Sequence, residues 1–514
     1  MKTTSIHKVY FLFALGLLMS CTDLTELNRS GLGEDVFPSS SNLDSYQALV
    51  LRPVGHFRNF IANQRFWIIL EASTDECVVP TRGGGWGDAN RWRDMHFHEW
   101  NVNHPTFNQA WNFSYEGINQ CNNIVKTLEA APEFEEKNSF IAQTRAMRAF
   151  YYFWLMDAFG NVPLLTATSI EELPNGELPG NNARAEVYDF VVSELEAIEN
   201  ELPDINDVTT YGLPTKWFGL ALQAKVKMNA EVYRGSPDYE GTIAACDKII
   251  NSGQFAYSDY REMFDVGNGP QVEEIIFAMV NDAQQGSQLN FAVRFIPSST
   301  KDAFNIPRGT WGGHSTLPEF LNKFDDPNDV RNGQWQFGPQ FLPSGDPIVD
   351  GNGNQIVVDP DLPWGEANDA NPFDVGSDLF GANSVKYTPD PTVAGCCGYQ
   401  DNDYIIFRYA DIVLMRGEAL AKQGGDPNLG LRDVNDLRQA RGAEPFASLT
   451  LDLILDERGR EFAFEHWRRN DLIRFGKWED SWGLKTNSDP TRRLFPIPQA
   501  QIDANPRLQQ NPGY

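Results

Sequence analysis

The chain has 514 residues, which is long enough for one large domain or for two or three smaller ones. It carries 42 Lys and Arg residues against 70 Asp and Glu residues, for a formal net charge of -28. A nucleic-acid-binding protein needs a basic face to neutralise phosphates, so this balance argues against a nucleic-acid partner.

The first 42 residues differ in composition from the rest. A basic start leads into an apolar run from Val9 to Met19, which is too short to span a bilayer, and Cys21 follows Leu-Met-Ser. This ending resembles a bacterial lipobox. We therefore predict a lipoprotein signal peptide over residues 1–20, lipidation at Cys21 and a tether over residues 21–42. The alternative is an ordinary signal peptide, with Cys21 free or in a disulfide.

Helical periodicity dominates the remainder, and no linker rich in Ser, Pro or Gly divides it, so we predict one domain over residues 43–514. Helices are predicted at Leu43–Glu71, Phe107–Glu129, Phe140–Phe159, Ala183–Glu201, Thr215–Tyr233, Tyr239–Ile250, Tyr404–Lys422, Leu429–Arg441 and Leu451–Arg469. Each helix is too thin to bury its own apolar face, which favours stacked helical hairpins, with an ordinary helical bundle as the alternative.

Two regions lack this periodicity: Asp75 to Pro105, and a region of about residues 281–400 that is rich in Gly, Pro, Asn and Asp. We expect loops with a few short strands there. Within the second region, the segment from Asp350 to Asp361 partly matches a calcium loop, but Gln355 stands where such a loop needs Gly, so a β-hairpin is favoured. No cofactor is expected, and a structural calcium ion is the alternative.

The cysteines do not form a disulfide framework, because five remain after Cys21 and an odd number cannot all pair. Cys121 and Cys246 lie within helical patterns and are predicted to be buried. Cys396 and Cys397 are adjacent, and either two free thiols or a vicinal disulfide would fit.

Four segments resemble motifs of the SusD (RagB/SusD) family of nutrient-binding outer-membrane lipoproteins of Bacteroidetes. In chain order they read RAMRAFYYFWLMDAFGNVPLL, DNDYIIFRYADIVLMRGEALA, ILDERGREFAFEHWRRNDLIRFGKW and LFPIPQAQIDANPRLQQNPGY. The resemblance implies a mainly α fold of tetratricopeptide-like hairpins, with a loop-rich half that contains a few short strands. It also implies a lipid-anchored, surface-exposed protein whose partner is a SusC-like TonB-dependent transporter.

Three glutamates recur every four residues on the Leu451–Arg469 segment: Glu457, Glu461 and Glu465. Paired carboxylates could serve as the general acid and base of a glycoside hydrolase. However, Arg458, Arg460, Arg468 and Arg469 lie at spacings that let them pair with these acids. Paired carboxylates stay ionised, whereas a general acid needs a raised pKa, so a structural ion-pair network is favoured.

Aromatic and polar residues that suit a sugar concentrate in the first loop region. An aromatic face packs on the apolar face of a pyranose while polar side chains bind its hydroxyls. The predicted ligand-binding residues there are Arg82, Trp86, Asn90 and Trp92, and the second loop region adds Trp311 and Trp335. The alternative for any of these tryptophans is a plug in the local core.

From the resemblance and these residues we expect a cell-surface glycan-binding lipoprotein that captures an oligosaccharide or polysaccharide and delivers it to the transporter without chemistry. The same fold binding a peptide or another nutrient is the first alternative, and a helical glycoside hydrolase is the second. The sequence does not identify the glycan.

Overall fold

The computed structural model describes residues 43–62, 65–284, 289–365, 371–392 and 398–514. The signal peptide, the tether and Cys21 lie outside these ranges, as do Cys396 and Cys397. The described helices are α1 (Leu43–Phe57), α2 (Phe66–Glu71), α3 (Arg91–Phe97), α4 (Pro105–Ala130), α5 (Lys137–Phe159), α6 (Arg184–Ile198), α7 (Lys216–Met228), α8 (Ala230–Arg234), α9 (Tyr239–Ser252), α10 (Phe291–Phe295), α11 (Pro318–Leu321), α12 (Tyr409–Gly424), α13 (Leu431–Ala440), α14 (Leu451–Phe462), α15 (Arg468–Arg474) and α16 (Gln499–Ala504). Residues Gln47–Tyr514 form one compact unit.

Helix α5 lies at the centre of the helical half. Residues 146–159 of this helix are all buried, including the ion-paired Arg148 and Asp157. It packs between α4 and α6, and the stacking continues through α7, α9, α12 and α13. Gly117 of α4 allows the close approach, because a Cβ there would lie 2.2 Å from Cζ of Tyr151. The predicted mainly α fold of stacked hairpins is thus confirmed.

The predicted helix Tyr404–Lys422 is wrong at its start. Residues Tyr404–Arg408 form strand β6, which pairs antiparallel with β1 (Ile275–Met279), and α12 begins only at Tyr409. Both strands are buried along their whole length, so they read as continuous apolar runs without alternation. Periodicity does not separate such a strand from a buried helix.

The loop-rich half contains the remaining strands, each of two residues: β2 (Trp335–Gln336) with β5 (Asn383–Ser384), and β3 (Gly338–Pro339) with β4 (Val357–Val358). Around Asp350 the chain forms the predicted β-hairpin, with Val349 opposite Gln355. The Asp350 carboxylate accepts the backbone N–H groups of Asn352 and Asn354 at 2.8 and 2.9 Å. Asp350, which would be the first ligand in the alternative calcium loop, is therefore already hydrogen-bonded within the turn.

The predicted helix Leu451–Arg469 is broken. Helix α14 ends at Phe462 and α15 begins at Arg468, and between them Phe464 and His466 have left-handed φ values of 60° and 61°. Two buried acids hold this break, since Glu76 accepts the N–H of Phe464 at 3.1 Å and Glu71 accepts that of His466 at 2.6 Å. The predicted helix Leu43–Glu71 is likewise interrupted, with a 3₁₀ turn at Arg58–Ile61 between α1 and α2.

Glu461 lies at the centre of a buried ion-pair network. Its carboxylate contacts Arg331 at 3.0 Å, Arg408 at 2.5 Å and Arg441 at 2.8 Å. The network extends through Arg331 to Glu457, through Arg408 to Glu465, and through both Arg408 and Arg441 to Glu274. Burial alone would raise the pKa of Glu461, but its guanidinium neighbours hold that pKa well below its usual range.

The predicted ion-pair network therefore exists, but most of the predicted partners are wrong. Arg460 does pair with Glu457, at 2.9 Å. Arg458, Arg468 and Arg469 turn away to Asp471, Asp75 and Asp157 respectively. The network links α14 to distant parts of the chain and connects the helical and loop-rich halves.

Cys121 and Cys246 are buried thiols, as predicted. Over the described ranges, none of the helices is both long and apolar enough to cross a membrane. Nor do these ranges hold a group of three or more His, Cys, Asp or Glu residues placed to bind a metal ion.

A tryptophan platform as candidate ligand site

A tight turn presents Trp86 at the surface of the loop-rich half. The backbone N–H of Arg82 donates to the carbonyl of Gly85 at 3.0 Å, and the reverse bond is 3.1 Å long. Gly83 and Gly84 have φ values of 58° and 94°, which glycine adopts without a steric penalty. The turn leaves Trp86 half-buried, with one part of its ring packed on the core.

Trp311 lies beside Trp86 and is 39% exposed. The indole N–H of Trp86 donates to the carbonyl oxygen of Trp311 at 3.2 Å. The two ring centroids are 6.4 Å apart and the ring planes are inclined by 58°. We call these two rings the Trp86–Trp311 platform.

Gly313 makes room for the platform. A Cβ at this position would lie 2.1 Å from Cε2 of Trp86, so the indole lies directly on the glycine backbone. The next residue, His314, meets the Trp86 ring edge-on at a centroid distance of 5.4 Å. Burial, then the charges of Arg294 and Arg82, lower the pKa of His314 well below its usual value, so this imidazole is neutral at physiological pH.

Arg82 fastens the platform from inside the protein. Its guanidinium donates to Gly313 O at 3.3 Å, to Ser315 Oγ at 2.5 Å, and to the carbonyls of Ser377 and Phe380 at 2.8 Å each. Burial lowers the pKa of Arg82 to about 10, which still leaves it cationic. Because Arg82 is only 8% exposed and four of its five N–H donors are engaged, it positions the platform and offers no free face to a ligand.

Asn90 and Trp92 have different environments. Asn90 is exposed and ends a run of left-handed residues, with φ values of 38° at Asp88, 54° at Ala89 and 66° at Asn90. This turn directs Trp92 into the core, where it is 2% exposed and donates its indole N–H to Asp88 Oδ2 at 2.6 Å. Trp92 therefore has no open ring face, contrary to the arrangement that a stacking role requires.

Trp335 is also a core residue and not part of the platform. It is 8% exposed, and its ring packs edge-on against Phe324 and Phe464 at centroid distances of 5.1 and 5.8 Å. Of the six predicted ligand-binding residues, the structure brings Trp86 and Trp311 into direct contact, and Arg82 is linked to them through its hydrogen bond to Gly313 O. Their ligand roles, and that of Asn90, stay predictions.

Sequence reasoning missed two residues at this surface. Gly313 belongs to the string Trp-Gly-Gly-His, in which two glycines after a tryptophan could have indicated close packing. Asp378 carries no such signal. Its carboxylate accepts the backbone N–H of Ser298 at 3.3 Å and lies against Gly312, next to the platform. The surface thus combines two inclined aromatic faces with a carboxylate acceptor, which can stack an apolar ring face and accept hydrogen bonds from hydroxyl groups.

Both the family profiles and the individual proteins that this sequence matches are SusD or SusD-like. The sequence profile of the SusD family matches residues 367–514, and a profile described as "Starch-binding associating with outer membrane" matches residues 67–228. The starch-binding protein SusD of Bacteroides thetaiotaomicron is 26% identical over 415 residues, which cover 73% of this chain and 72% of that protein.

Solved structures share the fold over almost the whole chain. A SusD superfamily protein from Parabacteroides distasonis has a TM-score of 0.74 at 20% identity, covering 92% of this chain and all of that one (100%). Surface glycan-binding protein A from Bacteroides thetaiotaomicron, solved in complex with laminarihexaose, has a TM-score of 0.72 at 21% identity, covering 91% and 99% of the two chains. With both profiles, a curated relative and the fold in agreement, this chain belongs to the SusD family.

Proposed function

We propose that this protein binds a neutral oligosaccharide at the Trp86–Trp311 platform. The observation that carries the proposal is the inclined pair of rings, of which Trp311 is 39% exposed. Two inclined aromatic faces fit a saccharide chain better than they fit a flat ligand, because successive pyranose rings of a curved chain present their apolar faces at an angle. The names of the relatives, one starch-binding and one solved with laminarihexaose, support the same ligand class.

The charges at the platform favour a neutral sugar over an acidic one. Arg82 is enclosed by its four acceptors. Arg93 lies near the carboxylates of Asp94 and Glu99, at 3.5 and 3.6 Å. Asp378 beside the platform would repel a uronate or sulfate. Hydroxyl groups, in contrast, can donate to its carboxylate.

We further propose that the protein is a surface lipoprotein, anchored through Cys21, that passes its ligand to a TonB-dependent transporter without chemistry. Sequence supports the anchor, and family membership supports the transporter. The ion-paired state of Glu461 speaks against a role as general acid, since its pKa is held low rather than raised. Replacing Cys21 with Ala should release the protein from the membrane fraction, and an unchanged membrane association would contradict the anchor.

A binding panel tests the proposed ligand class. Maltohexaose, cellohexaose and laminarihexaose represent neutral glucans, oligoalginate represents acidic glycans, and tryptic casein peptides represent peptides. We expect calorimetric binding to at least one neutral hexaose and no new reducing ends after prolonged incubation. Preferential binding of oligoalginate or of the peptides would overturn the proposal, and release of reducing ends would favour a hydrolase.

A further inference from the structure

A second groove lies on the helical half, between α4 and α16, with the loop from Pro163 to Pro179 along one side. It has a volume of about 340 Å³, within the range of small-molecule sites. None of its lining residues belongs to the platform. The amide N–H₂ of Gln501 spans the two helices, donating to Asn108 Oδ1 at 2.8 Å and to Asn112 Oδ1 at 2.9 Å. These bonds fix the orientation of the amides that line the groove.

The groove is almost free of charge, although the chain as a whole is strongly acidic. Of its 13 lining residues, only Glu116 has a side chain that is charged near neutral pH, and four are Asn or Gln. A cationic or anionic ligand would find little complementary charge there. Apolar contact is offered by Leu178, which is 40% exposed, and by the half-buried ring of Tyr115.

Several polar atoms at the groove are left over after the internal bonds are made. Within the described ranges, no hydrogen-bond partner is found for the indole N–H of Trp111, the amide N–H₂ of Asn112 or the amide oxygen of Gln501. The Trp111 ring itself is 4% exposed, so only an edge of it reaches the groove. The result is a set of oriented donors and one acceptor beside apolar surface, which is the combination that binds sugar hydroxyls and a C–H face.

We propose that this groove is a second binding site for a neutral saccharide. The proposal rests on the proposed function of the platform, because one polymeric ligand would supply both sites. Binding at two places on the same polymer raises the overall affinity without any new contact at either site. A short oligosaccharide would occupy the two sites independently.

Variants at Ala504 test the groove separately from the platform. Ala504 is an exposed groove residue at the end of α16, so Ala504→Trp fills the groove without removing a buried contact, and Ala504→Ser is its matched control. Both are made in a Trp311→Ala background, in which the platform is disabled. Melting temperatures of the two variants establish that the fold is retained.

Calorimetry with maltohexaose, cellohexaose and laminarihexaose should show weak residual binding in the Trp311→Ala protein. Ala504→Ser should retain this binding, and Ala504→Trp should weaken it at least about tenfold. Equal binding by the two Ala504 variants, or no residual binding in their parent, would overturn the second site. Tryptic casein peptides are titrated in parallel, and loss of peptide binding alone in Ala504→Trp would assign the groove to peptides and overturn the saccharide assignment. If Trp311→Ala leaves hexaose affinity unchanged but Ala504→Trp lowers it, the platform is not the binding site and the groove is.

Discussion

Trp86 donates its indole N–H to the carbonyl oxygen of Trp311 at 3.2 Å, so the polar edge of one platform ring is already satisfied within the protein. A ligand does not need to provide that bond, and it meets the ring faces instead. The same bond ties the 82–86 turn to the segment around Trp311, which lie 225 residues apart in sequence. The geometry of the platform therefore depends on how these two distant segments are held together within the protein.

Gly313→Ala should displace Trp86 and weaken glycan binding. The new Cβ would lie 2.1 Å from Cε2 of the indole, closer than any packed contact allows, so the ring must swing away. We expect a rise of about tenfold in Kd, equivalent to about 1.4 kcal/mol, and a change in tryptophan fluorescence. Gly309→Ala is the control, because its Cβ would meet only Ser298 Oγ, at 4.0 Å. Equal Kd values for the two variants would contradict this view of the platform.

Arg82→Lys should lower both stability and glycan affinity, although Arg82 presents no free face to a ligand. A lysine cannot reach all four acceptors that the guanidinium satisfies, and each buried acceptor left unpaired costs about 1–3 kcal/mol. We expect a lower Tm and, in the folded fraction, a weaker Kd with altered tryptophan fluorescence. The control is Arg93→Lys, since Arg93 is partly exposed and its acidic neighbours are 3.5 Å or more away. A folded fraction that binds with wild-type affinity would show that Arg82 does not position the platform.

Glu461→Gln should destabilise the protein strongly without changing ligand affinity. The substitution removes the charge that Arg331, Arg408 and Arg441 share in the interior, and breaking a buried pair costs about 3–5 kcal/mol. Chemical denaturation measures this loss. Glu177→Gln is the control, because the Glu177–Arg507 pair is about half exposed and should contribute less than about 1 kcal/mol. Equal stabilities for the two variants would show that the network does not support the fold.

The buried Glu71–Glu76 pair should make the protein less stable as pH rises. Burial raises the pKa of Glu71 to about 7, and burial with the adjacent Glu71 raises the pKa of Glu76 well above its usual value. Between about pH 4.5 and 7 the folded protein therefore binds more protons than the unfolded chain, so this contribution to stability is lost as pH increases. The other charges that act on the pair are Lys386 and Glu465 near Glu71, and Arg468 and Asp75 near Glu76.

Glu76→Gln tests this pH dependence. The variant has one titrating group fewer at the α14–α15 break, and its amide can donate to Glu71. The decline in stability between pH 5 and pH 8 should therefore be shallower. The decrease in slope should correspond to a change of about one bound proton at most. The exposed Glu135→Gln variant controls for a general change in charge. A slope identical to that of the wild type would exclude the pair as its source.

Local patterns predicted the helical half well, because the apolar residues of its helices recur at helical spacing. These patterns did not predict features that depend on contacts between residues distant in sequence. Tyr404–Arg408 is apolar enough for a buried helix, and only its pairing with β1 makes it a strand. Glu461 was recognised as ion-paired, yet its partners Arg408 and Arg331 lie 53 and 130 residues away, beyond any helical spacing.

The platform was predictable only in part for the same reason. Trp86 and Trp92 lie in one loop with similar neighbours, and no local signal shows that Trp92 turns into the core while Trp86 stays at the surface. Their different environments arise from the left-handed run at residues 88–90 and from the Trp92–Asp88 bond. Trp311 and Trp335 differ likewise, since Phe324 and Phe464 cover only the second.

The most direct test of the account is calorimetric titration of Trp311→Ala beside Trp335→Ala, with the neutral hexaose that the wild-type protein binds. Truncating the exposed Trp311 should cost about 2 kcal/mol or more of binding, a rise of at least about thirtyfold in Kd, with little change in Tm. Truncating the core residue Trp335 should instead cost about 3–5 kcal/mol of stability while the folded fraction binds normally. Wild-type affinity in Trp311→Ala, together with lost affinity in the folded fraction of Trp335→Ala, would contradict the platform as the ligand site.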